Sequence, residues 1–181
     1  LGNIGVVGAN YINTNNGRLG MTRTDTNHEY AIVRCVISSG SLLNLSCFEA
    51  IGGFDERLFI DMVDTEYCYR ARQNGYCVAL STEPLMEHAV GYVRRLRFLG
   101  QEYLFTLHPP FRQYFIFRNS IYVVRKYCRF EFWGCMKLIS VYLPVVLFKS
   151  MLISDRKREN LQQIVKGLGD GLWRFPKNSE V

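Results

Sequence analysis

The stretch Ser39–Gly75, SGSLLNLSCFEAIGGFDERLFIDMVDTEYCYRARQNG, decides how the chain folds. Ser39-Gly40-Ser41 is a small-residue loop. Ser46 and Glu49 then have the spacing of a capping box, in which a hydroxyl and a carboxylate satisfy reciprocal amide donors at a helix start. The short helix they open stops at Gly52-Gly53, where left-handed backbone is readily adopted. Phe54 is expected in the core beside Asp55-Glu56. The acidic cluster Asp61, Asp64 and Glu66 opens a second helix that runs on to Gln73, with Cys68 and Ala71 on one face. Asn74-Gly75 turns the chain out of it.

Apolar runs flank this stretch on both sides. Ile4–Val7, Tyr30–Ile37 and Tyr76–Leu80 read as strands, and the residues from Ala9 to His28 read as a long surface loop rich in Asn, Thr and Gly. Strand, short helix, loop, helix, strand is an α/β rhythm. After Gly91 the pattern is expected to turn helical and basic, which sets a boundary between 1–91 and 92–181. Phe117, Ile121, Val124 and Cys128 make one apolar stripe at helical spacing. Arg118, Tyr122, Arg125 and Arg129 make a basic stripe beside it. The apolar run Leu138–Phe148 is interrupted by Pro144 and falls short of the roughly 20 residues of a spanning helix, so an interfacial or core-packed helix is expected there.

With 181 residues and 48% hydrophobic content, the chain is long and apolar enough for a sizeable core, which excludes wholesale disorder. No charged segment followed by an apolar core opens it, so no secretory signal is read. Cys35, Cys47, Cys68, Cys77, Cys128 and Cys135 never form C-x-x-C, and buried free thiols are expected rather than disulfides or zinc. A net charge of +6 favours acidic partners. The basic, aromatic segment from Phe111 to Phe130 fits three readings: a nucleic-acid surface, a membrane-surface helix, or a plain core-covering helix.

Asp64 is the foremost candidate for chemistry. At the first turn of a helix a carboxylate has a fixed direction, suited to taking a proton from a bound hydroxyl. The same position equally suits a plain N-cap, and the spacing alone leaves the two open. Glu66 and Arg70 stand at the spacing of a helical ion pair. Gly40 and Ser41 offer backbone amides to a ligand, and His88 is a lone imidazole in Glu87-His88-Ala89.

Gly-Gly-Phe-Asp-Glu at residues 52–56, Phe-Ile-Asp-x-Val-Asp at 59–64, and the following x-Glu-x-Cys-x-Arg resemble the acceptor-side segment of inverting family-2 glycosyltransferases. The wording is nearest that of the bacterial rhamnosyltransferases. Many relatives carry Glu where Val63 stands. The resemblance implies the C-terminal part of a GT-A fold, a Rossmann-like α/β domain, followed by amphipathic helices. It implies Asp64 as the general base, with Asp61 as its rival, and substrate contacts from Gly40, Ser41, Glu66 and Arg70. His88 resembles a late metal or diphosphate ligand. The implied reaction transfers L-rhamnose from a dTDP-sugar to a glycan or lipid-linked glycan acceptor, with a divalent metal (Mg or Mn) at the diphosphate. No Asp-x-Asp metal motif occurs in the sequence, so the donor-binding half is expected outside these residues. Arg118-Asn119 in an aromatic context fits the resemblance too. It implies a cytoplasmic protein peripheral to the inner face of the plasma membrane, with no nucleic-acid partner.

Overall fold

Strand β1, Ile4–Asn13, organises the first part of the chain. It pairs in parallel with β5, Cys77–His88, from Ile4 opposite Cys77 to Asn13 opposite His88. The short strands β2, Arg18–Leu19, and β4, Leu42–Leu43, pair antiparallel with β1, and β3, Tyr30–Val33, pairs antiparallel with β5. The sheet is therefore mixed, in the order β2-β1-β5-β3. Helices α1, Leu45–Ile51, and α2, Val63–Gln73, lie in the crossover between the two parallel strands. This is an α/β arrangement, as expected from the alternation of elements.

The computed structural model describes residues 3–20, 29–89, 91–98 and 100–174. The chain divides into two compact units, Leu1–Glu56 with Val63–Gly91, and Arg57–Met62 with Tyr92–Val181. The segment Arg57–Met62 thus interrupts the first unit in sequence but packs with the second.

In the first unit Val6, Val36, Tyr67, Cys68, Val78 and Leu80 form the core. Each such side chain contributes roughly 1.5–3 kcal/mol on burial. Gly8 makes room for this packing, since a Cβ there would lie 2.5 Å from Val36. Two expectations change here. The residues after Ala9 do not begin a loop: β1 continues to Asn13 because β5 supplies hydrogen-bond partners along its whole length. Residues 21–28 of the expected loop lie outside the described residues. The capping box is also replaced. Asn44 is the N-cap of α1 and accepts from the Cys47 amide, while its own amide group donates to the Ile4 carbonyl. Asn44 caps the helix and ties it to β1, which Ser46, already inside the first turn, does not do.

The second unit opens with a hairpin rather than a helix. Strands β6, Tyr92–Phe98, and β7, Gln101–Leu107, pair antiparallel around a turn in which Gly100 has φ +78°. The two strands carry four aromatic residues, Tyr92, Phe98, Tyr103 and Phe105, and a ladder of backbone pairs satisfies both of them. Helix α3, Pro110–Tyr127, begins on a proline, whose fixed φ suits a first helical position. Phe117 of the predicted stripe is buried, but the rest of the buried face runs through Ile116, Asn119, Ser120, Val123 and Tyr127, one residue aside from Ile121, Val124 and Cys128, which are only partly buried. The displacement arises because polar Asn119 and Ser120 belong to the buried face, which an apolar count misses.

Helix α4, Phe132–Ile153, is continuous over 22 residues with mean hydropathy 1.7. By length and composition it is able to cross a membrane, which corrects the shorter run expected from Leu138–Phe148. A wide turn precedes Pro144, where the Leu143 amide donates five residues back to Leu138, and a second one closes the helix, where the Ser154 amide donates to Lys149. Helix α5, Lys157–Gly169, continues into a last wide turn at Asp170–Arg174. Ile116 and Phe117 of α3 pack with Leu143 and Val146 of α4 and Ile164 of α5. Gly167 and Gly171 let α5 approach α3 closely, since a Cβ would lie 2.4 Å from the Tyr114 carbonyl and 2.8 Å from that of Arg118.

The segment Arg57–Met62 carries three non-glycine residues with positive φ, Phe59 (61°), Asp61 (64°) and Met62 (63°). Such conformations cost on the order of 1–3 kcal/mol each and persist only where surrounding contacts impose them.

Candidate active site

Helix α2 opens at Val63, so Asp64 and Glu66 both fall in its first turn. The exposed amide groups and dipole of a helix start favour carboxylates there. Their surroundings differ completely. Glu66 is fully buried and meets the Arg70 guanidinium at 3.0 Å. Arg70 also donates to the carbonyls of Ile51, Gly52 and Gly53, where α1 ends. Glu66 and Arg70 therefore fasten the end of α1 to α2.

Asp64 makes no hydrogen bond or ion pair among the described residues. It is half-buried at a cleft of about 120 Å³ whose other walls include Val6, Val36, Leu43, Phe54, Ser41 and Cys68. The walls are mostly apolar, so water is partly excluded around the carboxylate, and charge–dipole interactions there are stronger than in bulk solvent. Burial pushes the neighbouring Cys68 thiol up to about 12, which keeps it neutral. A neutral buried thiol supplies neither a nucleophile nor a competing charge beside Asp64.

Ser41 joins Asp64 at this cleft. Its hydroxyl donates to the Ile37 carbonyl, and its oxygen keeps acceptor capacity. Gly40 supports that loop: its φ is +69°, and a Cβ would lie 2.7 Å from the Met86 sulfur and 3.1 Å from the Ala9 Cβ. Glycine is required there by conformation and packing together.

Asp61 stands in the second unit. Its carboxylate receives two hydrogen bonds from Arg112, both 2.9 Å, and is 9% exposed. The hydrogen bond to Asp61 in turn raises the Arg112 pKa, which keeps the guanidinium charged. His88, at the end of β5, sets its ring edge-on to Tyr11 at 5.3 Å. Among the described residues no three His, Cys, Asp or Glu side chains gather as a metal site. The described residues do not fit a divalent metal, and His88 alone falls far short of the oxygen-rich shell such an ion takes.

The basic stripe is engaged within the second unit. Arg118 donates to the Arg57 and Leu58 carbonyls, Arg125 to those of Gly171 and Leu172, and Tyr122 is buried. Arg112 escaped the sequence reading altogether. Only its place three residues into α3, with no local acid to pair with, hinted at a distant partner.

The chain is 38% identical over 90 residues to the dTDP-rhamnosyl transferase RfbF of Shigella flexneri, a match covering 50% of this chain and 29% of that protein. The similarity supports a rhamnosyltransferase-like relationship over that stretch. The matched stretch spans less than a third of the relative's length. No family model matches the chain. No solved structure matches it either.

Proposed function

We propose that the chain is the acceptor-side part of an inverting GT-A glycosyltransferase that moves L-rhamnose from dTDP-rhamnose to a glycan or lipid-linked glycan. The observation that carries this reading is the Asp64 carboxylate, which lines a cleft and has no hydrogen-bond or ion-pair partner among the described residues, while Asp61 and Glu66 are each held by an arginine. Asp64 takes the proton from an acceptor hydroxyl as that oxygen attacks the anomeric carbon. The bond to the diphosphate oxygen breaks in the same displacement, and the anomeric configuration inverts. Ser41 and the loop at Gly40 orient the acceptor. The similarity to a named dTDP-rhamnosyl transferase supports the choice of donor. Donor nucleotide and any divalent metal are held by residues other than those described.

The test is transfer by a full-length protein in which these residues sit beside a donor-binding portion. Incubation with dTDP-rhamnose and a lipid-linked acceptor is expected to release dTDP and to form a glycoside of inverted anomeric configuration by NMR. Retention of configuration would exclude Asp64 as a base in a single displacement. Binding of nucleic acid without any transfer would favour a basic binding module, although Arg118 and Arg125 already donate to backbone carbonyls.

The same reading places the protein at the inner face of the plasma membrane, with α4 in the lipid interface. Trp133, Val141, Phe148 and Leu152 of α4 are all more than half exposed. An apolar helix face of that extent, with tryptophan at its end, suits the headgroup boundary. Flotation with liposomes is expected to carry the protein upward with neutral and anionic vesicles alike and to persist in high salt. Absence of partitioning into either vesicle would remove the membrane from the proposal.

A further inference from the structure

Phe59 sits where neither burial nor backbone preference would put it. Its ring is 73% exposed, and its φ of 61° is an outlier for so bulky a residue. The second unit, to which Phe59 belongs, holds it there. Asn119, fully buried, shares its amide protons among the carbonyls of Leu58, Ile60 and Asp61 at 2.8–2.9 Å. Arg118 donates from Nε to the Asn119 oxygen at 2.9 Å and from Nη2 to the Arg57 carbonyl at 2.7 Å. These bonds fall on both sides of Phe59, which is left as the crest of the segment. Strain of this kind persists where a function uses the conformation.

The ring has aromatic company on α3. Phe115 lies 5.2 Å from it, tilted by 43°, and the Arg118 guanidinium sits over the Phe115 ring at 4.9 Å. Phe111, one helical turn before Phe115, is 53% exposed. Arg112 follows Phe111 on the same helix. Its Nε and Nη2 hold the Asp61 carboxylate at 2.9 Å, and its Nη1 makes no hydrogen bond among the described residues. A sugar ring matches such a surface in both of its characters. It offers a face of C–H bonds to an aromatic ring and a rim of hydroxyls to a guanidinium. A lipid chain would match the rings only, and would strip water from the Asp61–Arg112 pair.

We propose that Phe59, with Phe115 and Phe111 beside it, is a stacking platform for a sugar residue of the acceptor glycan, and that Arg112 Nη1 donates to one of its hydroxyls. The proposal rests on the glycosyltransferase reading, and it gives the second unit a glycan-holding task of its own.

Saturation-transfer NMR on the 181-residue chain tests this, with the methyl glycosides of L-rhamnose, D-glucose, D-galactose and N-acetyl-D-glucosamine as probes. Saturation is expected to reach the ring C–H protons of at least one of them. Phe59→Gly should weaken that binding by about tenfold. Its Tm should not fall, because glycine adopts positive φ without strain. Phe59→Trp, which keeps an aromatic face, should bind at least as tightly as wild type. Absence of saturation in every probe would overturn the proposal, as would affinity of Phe59→Gly within twofold of wild type. So would a loss of affinity that simply follows a loss of Tm. Weaker flotation of Phe59→Gly with phosphatidylcholine vesicles, beside unchanged glycoside binding, would give the ring to the bilayer instead. Transfer by the full-length enzyme separates the two levels. Full activity of Asp64→Asn sinks the reading of the site and leaves glycoside binding to judge the platform. An inactive Asp64→Asn beside unaffected binding by Phe59→Gly sinks only the platform.

Discussion

Asp64→Asn is expected to reduce turnover of the transfer by about 10²–10⁴-fold, the usual weight of a general base, while leaving the fold unchanged. The substitution keeps the size of the side chain and one acceptor oxygen but removes its basicity. Asp64 forms no ion pair or hydrogen bond among the described residues, so no structural contact is lost with the charge. As an N-terminal helix residue it loses only a favourable dipole interaction, worth about 0.3–1 kcal/mol. Steady-state kinetics with matched thermal melts decide the matter. Turnover within a few-fold of wild type, combined with a much larger loss in Asp61→Asn that does not depend on Arg112, would move the base to Asp61.

The largest expected effect on stability is that of Arg70→Met. Glu66 has no exposure to water, and Arg70 is the cation that meets its carboxylate at 3.0 Å. Removing one partner of a buried ion pair costs about 3–5 kcal/mol. The carbonyls of Ile51, Gly52 and Gly53 lose their donor at the same time, which adds to the penalty. Urea denaturation of the variant should give an unfolding free energy lowered by that amount, and Arg70→Met combined with Glu66→Leu should recover much of it. A loss of no more than about 1 kcal/mol, a surface-pair value, would mean that the pair contributes no more than an exposed one.

These two outcomes divide acids that look alike in sequence. Asp61, Asp64 and Glu66 lie within one short run, and each is a reasonable carboxylate for chemistry on its residue type. What separates them is their partners. Glu66 found Arg70 at the local spacing of a helical pair, which the sequence displays. Asp61 found Arg112, fifty-one residues on, and no local rule points there. The exclusion of Asp61 from the free acids is thus a tertiary fact, while the candidacy of Asp64 is a local one.

The fold shows the same division. The order of strands and helices around Ser39–Gly75, the end of α1 at Gly52 and the start of α2 near Asp64 follow from glycine conformation, charge and apolar spacing over a few residues. The extension of β1 to Asn13 does not, because its polar residues become strand only when β5 pairs with them. Nor does the hairpin at Tyr92–Leu107, whose two strands satisfy one another's backbone. The buried face of α3 was misplaced by one residue for a related reason: Asn119 and Ser120 are interior, and Asn119 is interior because three carbonyls of a distant segment need its amide.

By itself, the sequence determined which residues are able to form short helices, strands and turns, and it put a carboxylate at the first turn of α2. These depend on interactions within one or two turns of chain. Tertiary structure alone decided that Arg57–Met62 packs with the second unit, that Arg118 and Arg125 hold backbone carbonyls, and that Asp64 has no hydrogen-bond or ion-pair partner among the described residues. Those outcomes depend on hydrogen-bond donors and acceptors brought together across long sequence separations, where backbone groups must be satisfied wherever a partner lies.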